Sequence, residues 1–323
     1  MEIRAAQDSD LGEVVAVCTA ALGWDAKDPN EEWFWWKHQR NPFGASPIWV
    51  AVEDGAIVAV RAFMRWRFVR GERSVSVVRA VDTATLPSHQ RRGLFSTLTK
   101  HGLAELEADG VDFVFNTPND QSRPGYLSMG WREVGPVPIA VRPAGLGSLG
   151  RTMRSRVPAA KWSLPCDVGE PVSELVTSHP DETADLLDAA AGSGDAWRTA
   201  RSAEYLAWRY GFGPLRYRAL TPGTVADGLV VFRLRTRGPA TECAVCEVLV
   251  PGPDPRRGAR LLLKRLRREV RADHLIVSAG VVSGLDWIPA GRLGPVVTVR
   301  DAATSAPSSI ADFELALGDV ELF

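Results

Sequence analysis

Long apolar runs and an excess of either charge are missing from this chain and cysteines are few, and each lack excludes something. No apolar stretch approaches the roughly 18 residues that a membrane-spanning helix needs, so no membrane partner is expected. The four cysteines, Cys18, Cys166, Cys243 and Cys246, are too few to staple a fold of 323 residues. A formal net charge of −1 offers nucleic acid no overall attraction. The first residues lack a basic start followed by an apolar run, so no secretory leader is read and a cytoplasmic protein is expected. The five histidines show no ligand spacing. Cys243-x-x-Cys246 has no second pair beside it and on a strand would face both ways, so no metal is expected.

What is present is globular. The chain is 45% hydrophobic and 24% charged, and its length suits two cores of about 150 residues each. Asp10 and Glu13 read as a capping box before Leu11, Val14, Val15, Cys18 and Leu22, which fall at helical spacing. Residues 31–44 are dense in tryptophan and phenylalanine, a short helix and loop that either packs a core or walls an acceptor site. A meander follows: Ile48 to Val52, the hairpin signal Asp54-Gly55, an alternating strand from Val58 to Phe68, and a third strand from Val75 to Leu86. Arg61, Arg65 and Arg67 fall on the opposite side of the alternating strand and read as a solvated face. Leu94, Phe95, Leu98, Leu103 and Leu106 then mark an amphipathic helix stopped by Gly110. Val111 to Asn116 returns as a strand, making a parallel βαβ step, and a short helix carries Tyr126 before Gly130. The predicted class is α/β with a mixed sheet.

Prolines and glycines break all periodicity between 143 and 172, which reads as a linker between domains at 1–142 and 173–323. The second half echoes the first in order. Glu204 to Tyr210 matches Glu32 to His38, Asp227-Gly228 matches Asp54-Gly55, Arg256-Arg257-Gly258 matches Arg91-Arg92-Gly93, and Leu275 to Val277 matches Phe113 to Phe115. Four echoes in one order predict a duplicated fold.

The segment Pro87-Ser88-His89-Gln90-Arg91-Arg92-Gly93-Leu94-Phe95 joins the third strand to the amphipathic helix. A polar, glycine-containing turn feeding a helix gathers free backbone N–H groups at the positive end of the helix dipole, and so forms an anion site suited to phosphate. Gln90-Arg91-Arg92-Gly93-Leu94-Phe95 resembles the Arg/Gln-x-x-Gly-x-Gly/Ala motif of the GNAT superfamily, the acyl-CoA-dependent N-acyltransferases, with Phe95 at a position the family fills with a small residue. Asn119, Tyr126 seven residues later and the pair Gly130-Trp131 resemble that family downstream. The resemblance covers residues 1–142 well and 173–323 poorly, which implies tandem GNAT-like domains with a degenerate second copy.

The resemblance implies acetyl-coenzyme A as co-substrate and an amine acceptor, either a small molecule or a peptidyl amine. Its pyrophosphate would lie on the amides of Arg91, Arg92, Gly93, Leu94 and Phe95, with Gln90 in the same turn. The pantetheine arm would pair with backbone of Thr83, Ala84, Thr85 and Leu86, and Asn119 with Ser122 would hold it from the other side. A turn-forming residue beside a helix start is the alternative reading of Asn119. Tyr126 would be the general acid for the leaving thiolate, or else a packed tyrosine. Asp82 is the candidate base, with a structural carboxylate and a water-relayed proton path as alternatives, and Glu247 is its counterpart by counting back from Arg256. In the second half Pro255 replaces Gln90 and no Asn-to-Tyr spacing follows, so only the first half is expected to bind acyl-CoA. A non-catalytic acyl-CoA-binding scaffold is the alternative. A transferase using aminoacyl-tRNA would need a basic face, for which only Arg61, Arg65, Arg67, Arg151, Arg154 and Arg156 are candidates.

Overall fold

Each of the two expected sheets is built around a long antiparallel hairpin followed by a helix and a parallel strand. The computed structural model describes residues 1–155, 157–191, 194–282 and 286–321, with the side chains of Leu146 and Arg292 set aside. Arg156, one of the candidate basic residues, lies outside the described residues.

In the first unit β1 (Glu2–Ala5), β2 (Ile48–Glu53), β3 (Ala56–Arg70) and β4 (Arg73–Thr85) pair in antiparallel succession, and β5 (Phe113–Asn116) joins β4 in parallel. A strand from late in the chain, Val296–Asp301, runs antiparallel to β5, and β6 (Arg132–Pro136) lies beyond it. Helix α1 (Leu11–Leu22) and α2 (Asn30–His38) precede β2, α3 (Leu94–Ala108) makes the β4–β5 crossover, and α4 (Arg123–Ser128) follows β5. The capping box expected at Asp10 does not form. Its carboxylate instead binds Arg4 and the Gln7 N–H, and Glu13 accepts from the Ile57 N–H.

Apolar side chains cover the sheet on both sides. Val14, Val15, Cys18, Phe34, Val50 and Val60 form one core, and Phe63, Leu98, Leu103, Val114, Tyr126 and Trp131 form another. The solvated arginine face expected on β3 is therefore corrected at Arg61, which is fully buried, while Arg67 is exposed as expected.

The compact units divide differently from 1–142 and 173–323. The first comprises Met1–Gly135 with Val296–Asp312, and the second Pro136–Pro295 with the residues from Phe313 onward. Ile139–Pro143 is already a strand of the second sheet, paired with His274–Ser278, and the expected linker contains the helix Leu146–Arg154. Local composition cannot signal this exchange, because it depends on strands far apart in sequence.

The second unit repeats the hairpin and crossover. Strand Leu229–Arg237 pairs with Ala240–Leu249, helix Pro255–Glu269 follows, and His274–Ser278 runs parallel to Ala240–Leu249. Three of the sequence echoes fall on corresponding elements of the two units: α2 and Ala203–Arg209, the Gly55 and Gly228 turns, β5 and His274–Ser278. The fourth does not, since Arg91-Arg92-Gly93 precedes α3 whereas Arg256-Arg257-Gly258 lies inside the helix Pro255–Glu269.

Candidate active site

The site is set by where β4 leaves β5. Their parallel register runs from Val77–Phe113 to Arg79–Phe115 and stops, although β4 continues to Thr85. Beyond Ala80 the β4 edge that faced β5 carries no ladder partner from it, so an extended ligand can pair there as an added strand. Because the Leu86 N–H reaches the Val58 carbonyl on β3, alternation turns the backbone groups of Thr83 and Thr85 toward that open edge. Ala84 and Leu86 then face β3.

A β-bulge marks the same place. Thr83 pairs with Arg61 and Val81 with Ala62, leaving Asp82 as the extra residue, at φ 41°. A non-glycine residue in the left-handed region costs roughly 1–2 kcal/mol and needs support from its surroundings. The support comes from α2. Asp82 forms an ion pair with Lys37 and accepts a hydrogen bond from His38 Nε2 at 2.7 Å, and both partners are buried. Burial alone would raise the Asp82 pKa, but the Lys37 charge and the His38 hydrogen bond more than offset it and hold the carboxyl well below its usual range. A carboxylate so stabilised is a poor proton acceptor, which weighs against the general-base role expected of Asp82. Lys37 and His38 were missed in the sequence, where they were simply the polar end of an aromatic helix.

On the other face of the bulge Arg61 donates to the Tyr126 hydroxyl oxygen at 2.7 Å and to Thr83 Oγ1. Tyr126, on α4, is buried and packs edge-on against Phe95 and Trp131, with centroids 5.3 and 5.1 Å apart. Because its oxygen accepts from Arg61, the phenolic proton is left to be given elsewhere. Arg61 was the second residue missed, since strand alternation placed it with the solvated arginines.

The turn before α3, where an anion site is expected, is tightly wound. Pro87–His89 forms a 3₁₀ turn, Arg91 has φ 62°, and Gly93 has φ 78° at the helix N-cap. The first-turn N–H groups of α3 have no acceptor within the helix, and the dipole adds partial positive charge there. Gln90 folds back to the Thr85 carbonyl at 3.3 Å. Arg92 is occupied: it grips Glu53 with two bonds of 2.6 and 2.9 Å, and His89 adds a third. These partners, Arg92 first, lower the Glu53 pKa to about 2. Leu94 is buried, and Phe95 turns its ring into the core beside Tyr126. A β-carbon on Gly125 would come within 2.9 Å of that ring, so α4 accepts Phe95 only because residue 125 is glycine.

Asn119 caps α4. Its side-chain oxygen accepts from the N–H groups of Gln121 and Ser122 and from the Ser122 hydroxyl. These bonds are those of a turn-forming residue, and Asn119 is exposed at the surface.

The second unit repeats the bulge and differs at its centre. Val231 pairs with Glu247 and Phe232 with Val245, so Cys246, rather than Glu247, occupies the position of Asp82. Its parallel register with His274–Ser278 stops at Ala244–Ile276. Where those strands part lies the chain's own C-terminal segment: Leu315 accepts from the Ser278 hydroxyl, and Asp319 pairs with Arg201 beside Glu247. Glu321 binds Arg233, Arg235 and Tyr217 in the interior. Burial, with Asp319 nearby, pushes the Glu247 pKa up to about 7 against the pull of Arg201.

The comparisons with known proteins concern the fold and the family. No curated protein is similar enough to the chain to count as a relative. Among solved structures, a conserved protein of Enterococcus faecalis V583 has a TM-score of 0.65 at 13% identity, covering 94% of this chain and 73% of that one. A GCN5-related N-acetyltransferase from Anabaena variabilis has a TM-score of 0.65 at 14% identity, covering 93% and 73%. Eis1 from Mycobacterium abscessus has a TM-score of 0.58 at 14% identity, covering 94% and 74%. At such identities the likeness is one of fold. The family model of the GNAT acetyltransferase domain matches residues 2–134, nearly the whole first stretch of the first unit, and that part of the chain is a GNAT acetyltransferase domain.

Proposed function

We propose that the first unit transfers an acetyl group from acetyl-coenzyme A to a primary amine by direct attack in a ternary complex. The observation that carries this reading is the juxtaposition of an open β4 edge, the anion cradle at Gly93 and the Tyr126 hydroxyl within one unit. In this reading the cradle holds the pyrophosphate, the Thr83 and Thr85 backbone pairs with the pantetheine arm, and Asn119 offers its free amide NH₂ with Ser122 beside it.

An amine resembling lysine has a pKa of about 10 and must lose a proton before it attacks. Its lone pair forms the new C–N bond, and the tetrahedral oxyanion takes hydrogen bonds from backbone N–H groups at the bulged strand. As the C–S bond breaks, Tyr126 gives its proton to the departing sulfur and is reprotonated from water. The amine proton goes to water, because Asp82 is held as a carboxylate by Lys37 and His38. In the second unit the corresponding opening is taken by that unit's own C-terminal segment, which supports a single acyl-CoA site per chain.

The test is thiol release from acetyl-coenzyme A over a panel of amines. Tyr126→Phe is expected to lower kcat about 10²-fold with coenzyme A affinity retained. Absence of turnover with every amine, alongside tight coenzyme A binding, would favour a non-catalytic acyl-CoA-binding protein.

A further inference from the structure

Arg61 is a buried cation with no anion beside it among the described residues. Its residue is 0% exposed, and no ion pair forms to it among the described residues. Its Nη1 is spent on Tyr126 and Thr83, while Nε and Nη2 are buried with no hydrogen-bond partner among the described residues. Aromatic rings surround the guanidinium instead, with Phe63 at 4.2 Å, Tyr126 at 5.3 Å and Phe95 at 6.0 Å from its central carbon to the ring centroid. A desolvated charge in such a setting is costly unless something compensates it. Cation–π contacts offset part of that cost. The remainder calls for negative charge that arises during function and is absent at rest.

The one group in hydrogen-bond contact with Arg61 that can become negative in the proposed reaction is the Tyr126 oxygen. We infer that Arg61 is a positioning residue for acyl transfer: it fixes the Tyr126 oxygen from behind and stabilises the phenolate left when the phenolic proton passes to the departing thiolate. The step balances. The C–N bond forms as the C–S bond breaks, the sulfur takes the Tyr126 proton, and the phenolate beside Arg61 is neutralised by a proton from water. Phe95 belongs to the same device. It occupies the motif position the family fills with a small residue, packs edge-on against Tyr126 and sets its ring 6.0 Å from the Arg61 guanidinium, with Gly125 making room for it. The departure at Phe95 and the unpaired cation at Arg61 are therefore one adaptation.

This inference rests on the proposed function, and a double-mutant cycle separates the two. Arg61→Met, Tyr126→Phe and the double variant are assayed for amine-dependent thiol release, with coenzyme A affinity by calorimetry. Arg61→Met is expected to lower kcat on the order of 10²-fold without changing coenzyme A affinity. If Arg61 acts through Tyr126, the double variant is no slower than Tyr126→Phe alone. A packing role would instead make the two losses multiply, and that result, or an Arg61→Met variant as fast as the parent, overturns the inference while leaving the activity in place. A parent protein without turnover for any amine overturns the activity itself. Should Arg61→Met fail to fold, Arg61→Gln carries the same cycle, and Arg61→Lys is expected to retain an intermediate rate because it keeps the charge.

Discussion

Nε2 of His38 lies 2.7 Å from Oδ2 of Asp82, across 44 positions of sequence. With Lys37 on the same carboxylate, this contact ties α2 to the bulge that opens β4. Asp82→Ala would leave the Lys37 ammonium buried without its counter-charge, a change that costs about 3–5 kcal/mol. Urea unfolding at pH 7 measures it. A loss confined to a few tenths of a kcal/mol would mean that Lys37 finds another partner.

The same cluster fixes a pH dependence. Burial lowers the His38 pKa, and the Asp82 hydrogen bond restores only part of it. The unfolded chain therefore binds a proton at His38 near pH 6.5 while the folded chain does not. Stability is full above that pH and falls as pH drops through it toward the lower folded value. Asp82 behaves like a typical depressed carboxylate: its contribution is complete above about pH 4 and lost only in stronger acid. Urea midpoints between pH 5 and pH 7.5 should fall with acidity in the parent, and His38→Gln should flatten that slope.

Gly93 tests the anion cradle. Its φ of 78° is left-handed, yet an added β-carbon would meet nothing within 4 Å. Gly93→Ala is thus expected to cost about 1–2 kcal/mol of stability from backbone strain alone. Gly93→Val adds a branched side chain at the same φ and should abolish coenzyme A binding in calorimetry. Normal affinity in the valine variant would move the phosphate site elsewhere.

Gly125 tests the Phe95 cage. The Gly125→Ala β-carbon would approach Phe95 Cε1 to 2.9 Å, so the ring or α4 must shift, at about 1–3 kcal/mol. Phe95→Leu in the same chain removes the offending ring atom and should recover much of that loss in thermal unfolding. No recovery would show that the strain falls on α4 rather than on Phe95.

What could be read from sequence was local, and what escaped it was not. Asp54-Gly55 names its own turn and Gly110 its helix end, because each is a property of a few adjacent residues. Arg61 escaped because strand alternation says only which side of β3 it is on, not that α3 and α4 cover that side. The bulge escaped because one extra residue in β4 is visible only against its partner β3. Counting back from Arg256 chose Glu247 over Cys246 for the same reason: the count crosses a loop whose length differs between the units. The strand beside β5 could not be foreseen at all, since Thr298 and Asn116 meet across 182 positions.

In the second unit the C-terminal segment is held by charge. Glu321 accepts from Arg233, Arg235 and the Tyr217 hydroxyl, all buried. Burial alone would raise its pKa, but the three arginines, Arg233, Arg235 and Arg209, lower it to about 2. The contribution is complete above the unfolded glutamate value near 4.3 and is lost as pH falls toward about 2. Glu321→Ala strands those guanidinium groups in the interior, at about 3–5 kcal/mol. Thermal unfolding should show that loss at neutral pH, and the gap between variant and parent should narrow in acid as the parent's own Glu321 becomes protonated. Because the arginines lie in the second unit and the proposed chemistry in the first, acetyl-coenzyme A turnover per folded molecule should be retained. A turnover loss in the folded variant would instead tie the C-terminal segment to catalysis.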